Sequence, residues 1–152
     1  MVVYFENTQD NLLSDKYMSL FTLDGKKFFC VYQYRIYRKA LAFGNYSLAR
    51  KVLSCKDVES VEKVERRLRV SDYENKSWVV TEKYVELEGV LRKFFTNKRL
   101  ASKLMNYGVN DVFACCDKNI NIGIGTNKKV WIGSNICGQA LSFVRKELTY
   151  GF

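Results

Sequence analysis

Apolar and polar positions along the chain follow two periods. "VVYF" (Val2 to Phe5) reads as a short strand, and "LFTLDGKKFF" as two extended runs turning at Asp24-Gly25. From Val31 to Phe43, apolar or aromatic residues fall at 31, 34, 37, 40 and 41, a helical spacing that Gly44-Asn45 is suited to stop. A second helix is predicted from about Tyr46 to Leu53. A third follows Asp57, a suitable N-cap, with Val58, Val61, Val64 and Leu68 on one face. The polar stretch "SDYENK" reads as a loop. Ser77 is then expected to cap a long helix from Trp78 to about Phe95, and Asn97 the next, running to Tyr107. "DVFACC" has the unbroken apolar character of a buried strand. "NIGIGTNKKVWIGSNICG" reads as loop or short hairpin, and Gln139 to Leu148 as a closing helix. The sum is a single α+β domain over residues 1–152, dominated by helices with a few short strands.

Composition adds limits. A chain of 152 residues has the size of one domain and buries enough surface for a core of its own. No apolar run reaches the roughly 20 residues of a membrane span, and "MVVYFENTQD" lacks the plan of a secretory signal. A cytoplasmic or nuclear, non-secreted protein with no membrane partner is expected. The absence of Pro beside abundant Lys, Asn and Tyr suggests an AT-rich source such as a virus. Net charge is +9, which favours phosphate-bearing partners and leaves nucleic acid open as one of them. The five cysteines contain no CxxC pair and there is no His, so neither a structural zinc site nor any cofactor is expected. Without His, acid–base work falls to Asp, Glu, Lys, Tyr or Cys.

Four groups of residues offer chemistry, each with a structural alternative. Gly123, Gly125, Gly133 and Gly138, followed by Arg145, suit a phosphate cradle or a turn-rich hairpin. Trp78 with "LRKFF" suits a clamp on a base and a phosphate, or core packing with Lys93 solvated. Adjacent Cys115 and Cys116 lie in an apolar strand and are expected to be inert. Paired carboxylates serve N-glycoside hydrolysis by analogy with glycosidases, and Glu82 and Glu86 share a helix face four residues apart, with Glu88 nearby.

In order, these segments resemble the NADAR (NAD- and ADP-ribose-associated) superfamily, which has the YbiA-like N-glycosidase fold. The family's "LSNFYPSPFxLDGKxFxSVEQYYQxxKAxxFGD" compares with "LSDKYMSLFTLDGKKFFCVYQYRIYRKALAFGN". Its "W…KFxQNxxLxxxLLxTG" compares with Trp78, Lys93, Phe94, Asn97, Leu100, Leu104 and Gly108. Its "WxGxNxLGxxLMxVRxxL" compares with "WIGSNICGQALSFVRKEL". The resemblance implies hydrolysis of N-glycosidic bonds in ribose-phosphate compounds, such as riboflavin-pathway intermediates or ADP-ribose on guanine. The retained positions Ser14, Lys39, Trp78, Lys93, Phe94, Gly123, Trp131, Gly133, Asn135, Gly138 and Arg145 would then hold ligand or shape its pocket. Lys39, Lys93 and Arg145 would contact phosphate, and Asn135 ribose hydroxyls.

The departures bear on the reaction. Tyr32 stands for the Glu of "SVEQY", and Ala114 for the acid of the "LVEAS"-like strand. Asn119 and Ile122 stand for the Asp and Trp of "DxxWGxG", and Asp15 for the Asn of "LSNF". A phenol with an ordinary pKa of about 10 is no carboxylate at neutral pH. The resemblance therefore implies a nucleotide-binding protein whose hydrolysis is impaired or lost. Alternatives are an active N-glycosidase that uses relocated acids from Asp15, Glu86 or Asp117, and a basic module that binds protein or nucleic acid.

Overall fold

The computed structural model describes residues 1–151. β1 (Val2–Glu6) pairs in parallel with β4 (Val112–Cys116), with Tyr4 opposite Ala114. β2 (Phe21–Leu23) and β3 (Lys26–Phe28) form an antiparallel hairpin. Asp24 and Gly25 both have positive φ, the geometry of a type I′ turn, which Asp-Gly tolerates. Six helices are described: α1 (Val31–Ala42), α2 (Tyr46–Ser54), α3 (Val58–Arg67), α4 (Asp72–Thr96), α5 (Lys98–Met105) and α6 (Ile136–Tyr150). The helix-dominated α+β expectation holds. No described helix is long and apolar enough to cross a membrane.

Two large hydrophobic clusters, with a third, small one of Ala114, Cys116 and Ile124, make up the interior. The larger joins β1, β4 and the hairpin to α4, α5 and α6 through Phe5, Phe28, Phe94, Phe113 and Leu141. The smaller is the face of α1 bearing Tyr32 and Ile36, packed on Val52 of α2 and Val58, Val61 and Val64 of α3. Helix α1 contributes to both, since Val31 and Tyr34 belong to the first cluster. It is buried on most sides, and its polar side chains must find partners indoors.

Helix ends correct the sequence reading in several places. Asp57 caps α3 as expected, accepting from Ser60 N, but Leu68 falls just beyond the helix. Ser77 does not cap α4. Ser71 does, in a reciprocal capping box with Glu74, so "SDYENK" is the cap and first turn rather than a loop. Asn97 gives no side-chain cap to α5; its Nδ2 donates to the Lys93 and Leu20 carbonyls, and the helix ends at Met105. Asn45 follows the stop at Gly44 and caps α2 by accepting from Leu48 N. Helix α6 starts three residues before Gln139. The Gly-rich stretch is loop, with a single bridge between Asp117 and Gly125.

Candidate functional site

The site grows out of α1. Tyr32 and Arg35, three residues apart, share one helix face, and both border a cavity of about 530 Å³. Its other walls are Lys16, then Glu62, Glu65 and Arg66 of α3, and Asp117, Lys118 and Asn119 after β4. It lies between the α1–α3 cluster, to which Tyr32 belongs, and the turn after β4. Four cations and three carboxylates face a space large enough for a small polar ligand.

Tyr32 is held on several sides. Its hydroxyl donates to Glu65 Oε1 at 2.5 Å, and the Lys16 ammonium and Arg35 guanidinium lie 5.2 and 5.3 Å from its ring centre. Burial and the Glu65 charge push its phenol well above the usual range, so it remains a donor. Glu65 Oε2 lies 4.0 Å from Lys39 Nζ, and Glu62 4.0 Å from Lys16 Nζ. Asp117 spends both oxygens on local structure: Oδ2 accepts from Asn7 Nδ2 and Oδ1 from Asn119 N, each at 2.8 Å. Asn119 in turn accepts from the amides of Asn121 and Ile122.

Behind Arg35 lies a buried charge cluster. Arg35 Nη1 donates to Glu82 Oε2 at 3.2 Å, while its Nε lies 3.4 Å from Glu86 and 3.9 Å from Asp15. Burial opposes the guanidinium charge, but Glu82, Glu86 and Asp15 outweigh it and raise its pKa. Asn121 Nδ2 completes Glu82 at 2.7 Å. Glu86 is fully buried with no hydrogen-bond donor on either oxygen, and burial, together with the Asp15 charge, raises its carboxyl well above the usual range. Asp15 Oδ2 accepts no hydrogen bond either and has only the 3.9 Å approach of Arg35 Nε. Lys93 adds the second cation; burial lowers its pKa to about 8, and its ammonium donates to the carbonyls of Leu12 and Ser14 at 2.7 and 2.8 Å.

Asp15, Glu86 and Cys137 bring one ligand atom each within 4.8 Å. Arg35 and Lys93 already neutralise this group, and the Cys137 thiol is pushed well up by its hydrogen bond with Cys115 and by burial. These donors do not fit a divalent ion, which needs deprotonated ligands. The expected inert cysteines are buried, and burial raises Cys116.

Among the expected site residues, Tyr32, Asp117 and Asn119 meet at the cavity. The others lie elsewhere. Asp15 and Glu86 sit behind Arg35 and do not line it. Ala114, Ile122, Phe94 and Trp78 are core, the last lying edge-on to Phe43. Ser14 donates to Asn7 Oδ1, and Arg145 ties α6 to the Tyr107 carbonyl and to Thr149. Asn135 adopts a left-handed conformation and completes the edge of β4, accepting from Cys115 N and donating to the Phe113 carbonyl. Gly123, Gly133 and Gly138 allow close backbone approach: an added Cβ would fall 2.5, 1.9 and 2.1 Å from a carbonyl oxygen. Trp131 is part-exposed against Tyr4. Sequence reasoning missed Arg35, Glu62, Glu65, Arg66, Lys16 and Lys118. The α3 residues were findable: the Val58-Val61-Val64 face leaves Glu62, Glu65 and Arg66 on its shoulder.

Residues 3–149 match the NADAR domain, and the chain belongs to that family. It is 31% identical over 130 residues to Protein irg-1 of Caenorhabditis elegans, covering 80% of this chain and 61% of that protein, so it spans about three-fifths of the relative's length. Its fold matches the solution structure of the E. coli protein YbiA with a TM-score of 0.78 at 17% identity, covering 97% of this chain and 84% of that one. The fold is therefore YbiA-like.

Proposed function

We propose that the chain binds an ADP-ribose- or other ribose-phosphate-bearing nucleotide in the Tyr32 cavity. Hydrolysis of its N-glycosidic bond is weakened by the residues that stand at the family's acidic positions. Membership of the NADAR family supports a nucleotide-related, glycosidase-type function. The observation that carries the reading is the make-up of the cavity: Tyr32 and Asn119, both at substituted family positions, line it together with Lys16, Arg35, Arg66 and Lys118. Two or more cations in a partly enclosed space favour a diphosphate over a neutral nucleoside. Carboxylates beside them suit the hydroxyls of ribose.

Calorimetry with ADP-ribose, NAD, cyclic ADP-ribose and a 5′-phosphoribosyl aminopyrimidine tests it. Saturable binding of at least one is expected; no heat from any of them at millimolar ligand overturns the reading. Active hydrolysis by relocated acids is favoured by one observation, that Asp117 borders the cavity while Asp15 and Glu86 do not. The rate of base release by the wild-type protein decides between the two: slow release fits weakened hydrolysis, and fast release fits the relocated acids.

A further inference from the structure

The cavity holds three carboxylates, and their surroundings separate them. Asp117 is committed through both oxygens, to Asn7 and to the turn at Asn119. Glu62 is the more exposed of the two acids on α3 and has only a 4.0 Å approach from Lys16. Glu65 differs from both. Its Oε1 is fixed at 2.5 Å by the hydroxyl of Tyr32, itself a nearly buried side chain that other contacts hold in place. Glu65 lines the cavity, and its Oε2, with Lys39 Nζ 4.0 Å away, accepts none of the hydrogen bonds found among the described residues. A carboxylate with one oxygen anchored and the other available is oriented for work on a ligand.

Resting on the nucleotide-cavity reading above, we propose that Glu65 is the catalytic carboxylate of a hydrolytic site and that Tyr32 positions it. The residue at 32 does not carry the acid; it reaches one from the neighbouring helix. In the reaction, Glu65 Oε2 takes a proton from a water whose oxygen bonds to C1′ of the ribose. The C1′–N bonding pair leaves with the base; the aminopyrimidine amine takes a proton from solvent, whereas nicotinamide leaves its cationic bond already neutral and takes none, and Glu65 returns its own proton to solvent. One water is consumed, yielding the ribose 1′-hydroxyl and the free base. Lys16 and Arg35, each within 5.3 Å of the Tyr32 ring centre, stay in place to hold phosphate. The burial that keeps the phenol protonated preserves the donor that Glu65 needs.

The test uses the full chain with NAD and a 5′-phosphoribosyl aminopyrimidine, reading free base by chromatography and affinity by calorimetry. Wild type is expected to release base from at least one of them. Glu65→Gln is expected to lower kcat by about 100-fold or more, far beyond its effect on Kd, the usual scale for loss of a general base. Tyr32→Phe, which keeps the buried ring, is expected to lower kcat with little change in KM. It should add nothing on top of Glu65→Gln, because the two act as one unit; a structural role alone would add. Wild-type binding without cleavage of either probe overturns the role of Glu65 and leaves the binding reading standing. Absence of binding overturns both. A Glu65→Gln protein that turns over like wild type, or additive losses in the double variant, also refutes the assignment.

Discussion

Glu86 shows how one residue's surroundings set a property of the whole protein. It lies on the inner face of α4 with Asp15 and Arg35, completely buried, and its carboxyl titrates well above its ordinary value of 4.5 because of burial and the Asp15 charge. The unfolded chain has no such environment, so above pH 4.5 it gives up this proton while the folded protein keeps it. A group raised on folding contributes stability at low pH and loses it as pH rises, by about 1.4 kcal/mol per unit across the window between the two values. Glu86→Gln keeps the shape and a permanent donor toward Asp15, and removes the titration. The stability of the variant relative to wild type should therefore climb as pH rises above 4.5 in urea unfolding. Parallel curves for the two proteins would show that Glu86 is ionised in the fold. The i, i+4 spacing of Glu82 and Glu86 was visible in the sequence as a shared helix face. That this face meets Arg35 was not, because 47 residues separate the partners and no local pattern encodes that contact.

At the scale of elements, the loop between β4 and α6 turns an apparent phosphate cradle into a packed edge. Strand β4 has β1 on one side only, and Asn135 supplies the other side with its amide, meeting the Cys115 N–H at 3.0 Å and the Phe113 carbonyl at 2.8 Å. Gly138, in the first turn of α6, then rests on that same Phe113 carbonyl, where a Cβ has no room. Asn135→Leu strands a buried donor and a buried acceptor, and is expected to cost roughly 2–6 kcal/mol at about 1–3 kcal/mol for each group. A loss of less than about 1 kcal/mol in urea unfolding would show that water or a shifted loop replaces the amide. Elements with their own periodicity or caps were legible: α1, α3 with its Asp57 cap, and the Asp24-Gly25 hairpin. The start of α4 was also written in the chain, as Ser71 with Glu74 three residues on, yet the polarity of "SDYENK" outweighed it. Gly and Asn in the β4–α6 loop carried an ambiguous message, since backbone packed on backbone demands the same residues as backbone packed on phosphate.

For the molecule as a whole, net charge +9 indicates an anionic partner without locating where it binds. The family pattern points to Lys93 and Arg145, but both are used internally, Lys93 on two carbonyls and Arg145 on Tyr107 and Thr149. The cations that face the cavity are Lys16, Arg35, Arg66 and Lys118. Arg66 and Lys118 are exposed, one on α3 and one after β4, so a ligand between them would bridge α3 and the turn after β4. Arg66→Ala and Lys118→Ala are each expected to weaken ADP-ribose binding about tenfold, the loss of one charge-assisted contact, while stability stays within about 0.5 kcal/mol of wild type. Both losses should shrink as salt is raised, because these charges are open to screening. Lys93→Met should behave in the opposite way. It strips a cation from beside Asp15 and leaves the Leu12 and Ser14 carbonyls without their donor, at a cost of about 3–5 kcal/mol in stability. Any loss of affinity in that variant should then follow the fraction unfolded. Urea titrations run beside calorimetry separate the two kinds of change. If Lys93→Met abolished binding at full stability while Arg66→Ala and Lys118→Ala bound normally, the phosphate site would lie at the family positions and not in the Tyr32 cavity.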